Sequence, residues 1–215
     1  MPPGFASVIL DVDSTLCGIE GIDWLAGRRG AEVGREVTLL TDRAMRGEIA
    51  LDSVYGARLE LVRPGLADIV ALSEAYIAAL APGARPAIER LQDAGRRVVL
   101  ISGGIREAIL PVASLIGIPS RDVHAVSVAL NAADAYAGFE SDSPLATSEG
   151  KRAVARRLAL PPRVVAVGDG ATDLAMRPAV DAFAAFTGFV RRDAVVSGAD
   201  HVLESFDQLL ELVLP

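Results

Sequence analysis

The chain has a single cysteine, Cys17, so no disulfide can form within it, and a lone thiol fits a reducing compartment. Its two histidines, His124 and His201, stand in no metal-binding spacing with that cysteine. No apolar run approaches the length that spans a bilayer, and the N-terminus lacks a basic stretch followed by an apolar one. A cytoplasmic protein with no membrane partner is the expectation. Basic tracts are missing as well. Arg28-Arg29, Arg96-Arg97, Arg156-Arg157 and Arg191-Arg192 are scattered pairs that read as helical surface, in a chain of net charge −7, which argues against nucleic acid. Internal repeats and low-complexity segments are absent too.

What is present is a globular composition, 51% hydrophobic and 23% charged over 215 residues, enough for one full α/β core and a smaller appended unit. The apolar run Ser7-Val8-Ile9-Leu10 reads as a buried parallel strand. It ends in Asp11-Val12-Asp13-Ser14-Thr15, two acids and two hydroxyls where a sheet presents its carboxyl edge. The construction recurs twice. Arg97–Ile101 runs into Ser102-Gly103-Gly104, and Arg163–Val167 runs into Gly168-Asp169-Gly170-Ala171-Thr172-Asp173. Three such junctions in one chain predict three loops converging on one site. Asp11, Asp13, Asp169 and Asp173 would then crowd together, and buried carboxylates are costly unless paired or bound to a cation. A metal is implied.

Between about residues 18 and 75 the pattern turns helical, with Ile22, Leu25, Val33, Val37, Leu40, Val54, Leu59 and Val62 at helical spacings and Pro64-Gly65 as a turn. From about residue 80, helix and strand alternate. Helices are expected at 86–94, 105–116 and 151–158, and strands at 98–101, 123–128, 136–139, 164–167 and 182–186. The fold class is α/β: a Rossmann-like parallel sheet with crossover helices and an inserted small helical cap. The expected division is a catalytic core of 1–16 with 76–215, and a cap of 17–75 acting as a lid over substrate.

Side chains two apart on a strand share a face, so Asp11 as nucleophile and Asp13 as acid–base partner can reach one ligand. Asp169 would complete an oxygen site suited to Mg²⁺. Thr15, Ser102 and glycine-flanked N–H groups would donate to phosphoryl oxygens, and Lys151 would balance the charge. The product of attack is an aspartyl-phosphate. Each residue has a plainer reading taken alone: Asp13 a turn cap, Ser102 and Asp173 helix N-caps, Lys151 a surface residue. Their joint occurrence favours the site.

In these residues the chain resembles the haloacid dehalogenase superfamily. Its four motifs match Asp11-Val12-Asp13-Ser14-Thr15, then Ser102-Gly103-Gly104, then Lys151, then Gly168 to Asp173. Glu20-Gly21-Ile22-Asp23, Thr41 to Met45, Arg58 to Val62, Tyr136 to Phe139 and Ala179 to Phe183 resemble the branch of that family that acts on O-phosphoserine, in the last step of serine biosynthesis. The resemblance implies one Mg²⁺ per active site, on the Asp11 carboxylate, the Asp13 backbone carbonyl and Asp169. It implies that Ser102, Gly103 and Lys151 hold the phosphate, that Asp173 orients the loops, and that Thr172 approaches the substrate. Glu20 would take the substrate ammonium, Arg58 its carboxylate, and Met45 would line the pocket; an Arg fork suits a carboxylate. A small-molecule substrate is the implied partner, and a homodimer is allowed.

Departures from the family pattern are Arg46, Leu51 and Thr187-Gly188-Phe189. They leave open a second reading, a phosphatase or phosphotransferase acting on another small phosphorylated metabolite. A third, a signalling receiver phosphorylated on aspartate, shares the sheet and acidic site but lacks an acid placed like Asp13. Cys17 reads as a structural thiol and Trp24 as packing for the cap.

Overall fold

The structure is a computed structural model that describes residues 4–45, 48–49 and 51–214. Its centre is strand β1, Ser7–Leu10, buried along its whole length. Alternation sends Val8 and Leu10 into one apolar cluster and Ile9 into another on the opposite face of the sheet. Strand β2, Arg97–Ile105, lies on one side of β1, and a third, β3 (Val123–Val126), lies outside it. On the other side come β6 (Val164–Gly168), β7 (Ala182–Phe186) and β8 (His201–Leu203). All six run parallel in the order β3-β2-β1-β6-β7-β8. The chain winds outward from β1 in one direction and then returns to wind outward in the other. The reversal falls at β1, and that is where open α/β sheets place ligands.

Helices cover both faces. In α5 (Ala84–Asp93) the buried residues are Ala84, Ala87, Ile88 and Leu91, and in α10 (Phe206–Val213) they are Phe206, Leu209, Leu210 and Val213. Each set is one helical stripe. The α10 N-terminus is capped by Ser205, whose hydroxyl accepts from the Gln208 N–H at 3.3 Å. With α6 (Arg106–Leu115) these helices pack on the face that carries Val8 and Leu10. The opposite face takes α7 (Gly150–Arg157), Met176 after the short α8 (Ala171–Leu174), and Val195 of α9 (Asp193–Gly198).

Four helices come between β1 and α5: α1 (Gly21–Arg29), α2 (Ala31–Met45), α3 (Leu51–Val62) and α4 (Leu66–Ala78). The expected junction at residues 75 and 76 lies inside α4, which buries Ile69, Leu72 and Tyr76 in the same cluster as α6. Trp24 packs partly buried against that cluster, with the Arg28 guanidinium 5.0 Å from its ring centre.

Two expectations need correction. The strand expected to end at Ile101 continues through Ser102-Gly103-Gly104, with a register shift against β3 between Ile101 and Ile105. Two consecutive glycines without Cβ atoms let an irregular strand carry on where a bulkier pair would stop it. The 136–139 segment does not join the parallel sheet. As β5 (Tyr136–Phe139) it pairs antiparallel with β4 (Val128–Leu130) in a separate hairpin. Only its first residue is fully buried, so it lacks the two-sided burial of a parallel strand. Instead it leans on the inserted helices, with the Phe139 and Tyr55 rings 5.4 Å apart and the Leu66 N–H donating to the Asp134 carbonyl at 2.9 Å.

Ile9 has no exposure and sits in the central strand between β2 and β6. Ile9→Ala should therefore cost about 2–5 kcal/mol, read as a lower denaturation midpoint with an unchanged slope. A loss below about 1 kcal/mol would show that the site can collapse around the void.

Candidate active site

Strands β2, β1 and β6 are adjacent, so their carboxyl ends deliver three loops side by side. Leu10 is level with both Leu100 and Val167, and the next residue, Asp11, ties itself to β6 by donating its N–H to the Val167 carbonyl at 3.0 Å. Asp11 follows Leu10 at the end of β1, Asp169 follows Gly168 at the end of β6, and Ser102 follows Ile101 where β2 becomes irregular. Glycine at 168 is forced: a Cβ there would lie 2.2 Å from the Asp173 carboxyl carbon.

The carboxylates of Asp11, Asp169 and Asp173 are all buried, and ligand oxygens from the three lie within 4.8 Å of one another. The Lys151 ammonium joins two of them, 2.6 Å from Asp11 Oδ1 and 2.7 Å from Asp173 Oδ1. It sits in the first turn of α7. Gly150 starts that turn against the 144–146 segment so closely that a Cβ would fall 1.7 Å from the Pro144 carbonyl oxygen. Burial acts on Lys151 to lower its pKa, but the two carboxylates outweigh it and hold the ammonium well above its ordinary range. Asp11 is pushed well above the usual carboxylate range, first by burial and then by the charge of Asp173, while Lys151 pulls the other way. Asp173 also accepts from the Gly170 N–H at 3.0 Å, which closes the start of α8. Thr15 donates to Asp169 Oδ1 at 3.2 Å.

This donor set fits a hard cation. Asp11 Oδ1 is paired with Lys151 and Asp169 Oδ2 with Arg192, and oxygens buried so close together are stable only beside positive charge. The triad can therefore hold a metal ion. Asp13 stands apart from the triad. Its Oδ1 accepts from the Gly21 N–H at 2.8 Å and the Tyr76 hydroxyl at 2.7 Å, and its Oδ2 lies 3.5 Å from the Ser102 hydroxyl. Burial, and next the Glu20 charge, raise its pKa to about 6, against the pull of the two hydrogen bonds on Oδ1. A carboxyl so placed exchanges protons near neutrality, as an acid–base catalyst needs. Ser102 is fully buried, its oxygen accepting from the Gly104 N–H at 2.9 Å; Gly103 between them is half-buried.

Among the residues expected around the substrate, Glu20 is exposed and accepts from the Ser14 hydroxyl at 2.8 Å. Arg58 is joined to Asp23 rather than to Glu20, and its Nε is buried without a partner, as is the Tyr55 hydroxyl one turn away on α3. Thr172 is half-buried on α8 beside Asp173. The Met45 side chain, Arg46 and the Leu51 side chain lie outside the described residues. Cys17 is fully buried, and burial drives its thiol far above the ordinary range, in keeping with a structural role. A cavity of about 780 Å³ between α1, α4 and the β4–β5 turn is lined by none of Asp11, Asp13, Asp169 and Asp173.

Two residues of the site escaped the sequence reading. Arg192, taken for surface, makes ion pairs with Asp169 and, at 3.6 Å, with Glu20. It lies in the loop after β7, a fourth strand whose carboxyl end opens on the same edge. Its place at that edge was the available signal. Tyr76 carried no such signal, because a tyrosine at the end of an apolar helix reads as core.

A model of haloacid dehalogenase-like hydrolases matches residues 8–178. The chain is similar to phosphoserine phosphatase of Bos taurus, 38% identical over 95% of this chain and 91% of that protein. It is also similar to the chloroplastic phosphoserine phosphatase of Arabidopsis thaliana, 35% identical over 95% of this chain and 70% of that protein. A phosphoserine phosphohydrolase-like protein from Francisella tularensis shares the fold, with a TM-score of 0.80 and 24% identity over 97% of this chain and 99% of that one.

Lys151→Met should cost about 3–5 kcal/mol in metal-free protein, because two buried carboxylates lose their cation. A divalent cation should restore more stability to the variant than it adds to the wild type, by denaturant midpoints measured with and without it. Equal midpoints for the two proteins would refute the charge balance described here. In metal-free protein the Asp13 carboxyl carbon should titrate with a midpoint near 6 by NMR. Since the folded value is raised, this group favours the folded state at low pH, and its contribution is lost as pH rises through about 6. A midpoint in the ordinary carboxylate range would contradict that environment.

Proposed function

We propose that this chain, which belongs to the haloacid dehalogenase-like hydrolase family, is a phosphoserine phosphatase that cleaves O-phosphoserine to serine and phosphate through an aspartyl-phosphate on Asp11. The observation that carries this reading is the meeting of Asp11, Asp169, Asp173 and Lys151 at adjacent strand ends, with Asp13 held separately beside Ser102. In the first half-reaction the Asp11 carboxylate attacks phosphorus, the ester P–O bond breaks, and Asp13 gives its proton to the departing alkoxide. In the second, Asp13 takes a proton from water as that water attacks phosphorus; the Asp11–phosphorus bond breaks and phosphate leaves.

Mg²⁺ would be held by the Asp11 and Asp169 carboxylates and the Asp13 backbone carbonyl. When bound it neutralises phosphoryl charge and so removes repulsion against the attacking carboxylate. Ser102, Gly103 and Lys151 hold the phosphate in this reading, and Asp173 keeps Lys151 aimed at it. Glu20 meets the substrate ammonium, Arg58 its carboxylate, and Met45 and Thr172 border the pocket. The unpartnered Arg58 Nε supports that role, since a substrate carboxylate would satisfy it. The same reading includes a lid made of the helices between β1 and α5, with the continuous helix α4 favouring a junction at its C-terminal end over one at residue 75. A reducing, cytoplasmic setting is supported by the buried free thiol.

Purified protein with Mg²⁺ should release phosphate from O-phosphoserine, and Asp11→Asn should lower that rate by at least about 10³-fold. Specificity constants for phosphoserine, phosphothreonine and a neutral phosphoester complete the test. Phosphoserine as the poorest of the three would overturn the substrate while leaving the chemistry in place.

A further inference from the structure

The two oxygens of the Asp13 carboxyl have unlike surroundings. Oδ1 is enclosed by two donors, the Tyr76 hydroxyl at 2.7 Å and the Gly21 N–H at 2.8 Å. Oδ2 looks the other way, toward the Ser102 hydroxyl and Gly104, where a Cβ would come within 3.0 Å of it. We propose that Tyr76 is a positioning residue for the acid–base step: with the Gly21 N–H it saturates Oδ1 and so confines the transferable proton to Oδ2, the oxygen that faces the phosphate loop. The inference rests on Asp13 being the acid–base group.

Three features make this more than a core tyrosine in a convenient place. Tyr76 is wholly buried, so its hydroxyl has no water to turn to. Burial and the adjacent Asp13 hold the phenol well above its ordinary pKa, so it remains a donor throughout the working pH range. Space for the contact has been left in the sequence: a Cβ at residue 21 would lie 2.1 Å from the Tyr76 oxygen. Gly21 also opens α1, so its N–H is one that no helical carbonyl can satisfy, at the helix end that favours negative charge.

An oxygen that already accepts two hydrogen bonds is a poor seat for a proton, because the proton would face two donors. Protonated Asp13 therefore carries O–H on Oδ2. As the ester bond breaks, that proton passes to the alkoxide oxygen and Asp13 becomes a carboxylate, with Tyr76 and Gly21 already placed to stabilise its charge. In the second half-reaction Oδ2 takes the proton back from the attacking water, and the Asp11–phosphorus bond breaks.

Tyr76→Phe keeps the ring and removes the donor. The test is single-turnover release of two leaving groups: serine, an alkoxide that needs the proton, and p-nitrophenolate, which leaves without one. Serine release should slow by about 10-fold or more, within the range that acid–base groups supply, while p-nitrophenolate release and the KM for O-phosphoserine stay at wild-type values. Gly21→Ala, which forces the hydroxyl away while keeping it, should reproduce the pattern and stands in if Tyr76→Phe folds poorly. Equal slowing with both leaving groups, or wild-type rates with both, overturns the proposal. Wild-type protein that hydrolyses p-nitrophenyl phosphate and not O-phosphoserine would reject the substrate reading instead; the same comparison, made with the alkyl phosphate it does accept, then decides the role of Tyr76.

Discussion

Three carboxylates can remain buried within 4.8 Å of one another only if positive charge is built in among them. Lys151 supplies it, bridging Asp11 and Asp173 from the first turn of α7. Much of the surrounding geometry serves that contact. Gly150 is small so that α7 can start against the Pro144 carbonyl, and Gly168 is small so that Asp173 can fold back over the end of β6. The lysine alone leaves three acids net negative, with Arg192 paired to Asp169, and the three carboxylates together could still hold a metal ion. Without the ammonium, burial and the Asp173 charge would act on Asp11 with no such opposing pull. With it, Asp11 is drawn back toward the charged form that a nucleophile and metal ligand needs.

The two acids of the first loop have been given opposite environments two residues apart. Asp11 shares its ammonium with the triad, whereas Asp13 is turned toward helix α1 and Tyr76 and its pKa is raised to about 6. Pairs of carboxyl groups separated in this way divide nucleophilic from acid–base work. The strand explains how neighbours can differ so far. Ser14 adopts a left-handed conformation at φ 53° directly after Asp13, so the loop turns away at once and brings Gly21 back beneath that carboxyl.

The centre of the sheet and its acidic edge were legible because β1, β2 and β6 each announce themselves twice, by a β-branched apolar run and by the small or acidic residues that follow it, whereas the three-residue β8 was not expected at all. Asp11, Ser102 and Asp169 follow directly from that grammar, and adjacency of β2, β1 and β6 brings them together. Arg192 was hidden because an arginine pair in an amphipathic stretch looks the same whether it faces water or Asp169. Tyr76 was hidden for the opposite reason: its ring satisfies the core pattern, and nothing in the text of the chain indicates where its hydroxyl points. The strand-like 136–139 segment was seen but misplaced, since local pattern gives extended backbone without naming the partner strand. Residues that act through one atom, or by whom they meet across the chain, are the ones that sequence alone conceals.

The position of β1 has a consequence for how the molecule is made. It is made before both strands that flank it, β2 and β6, and Leu10 aligns with Leu100 and with Val167. An apolar strand with two open edges must therefore wait through most of synthesis before its second flank arrives. Pairings so distant in sequence are slow to form, and unpaired edges invite aggregation. The helices made in between can shelter only one face of that strand, so the segment that leads into Asp11 stays open on its other face until β6 and α7 have been made.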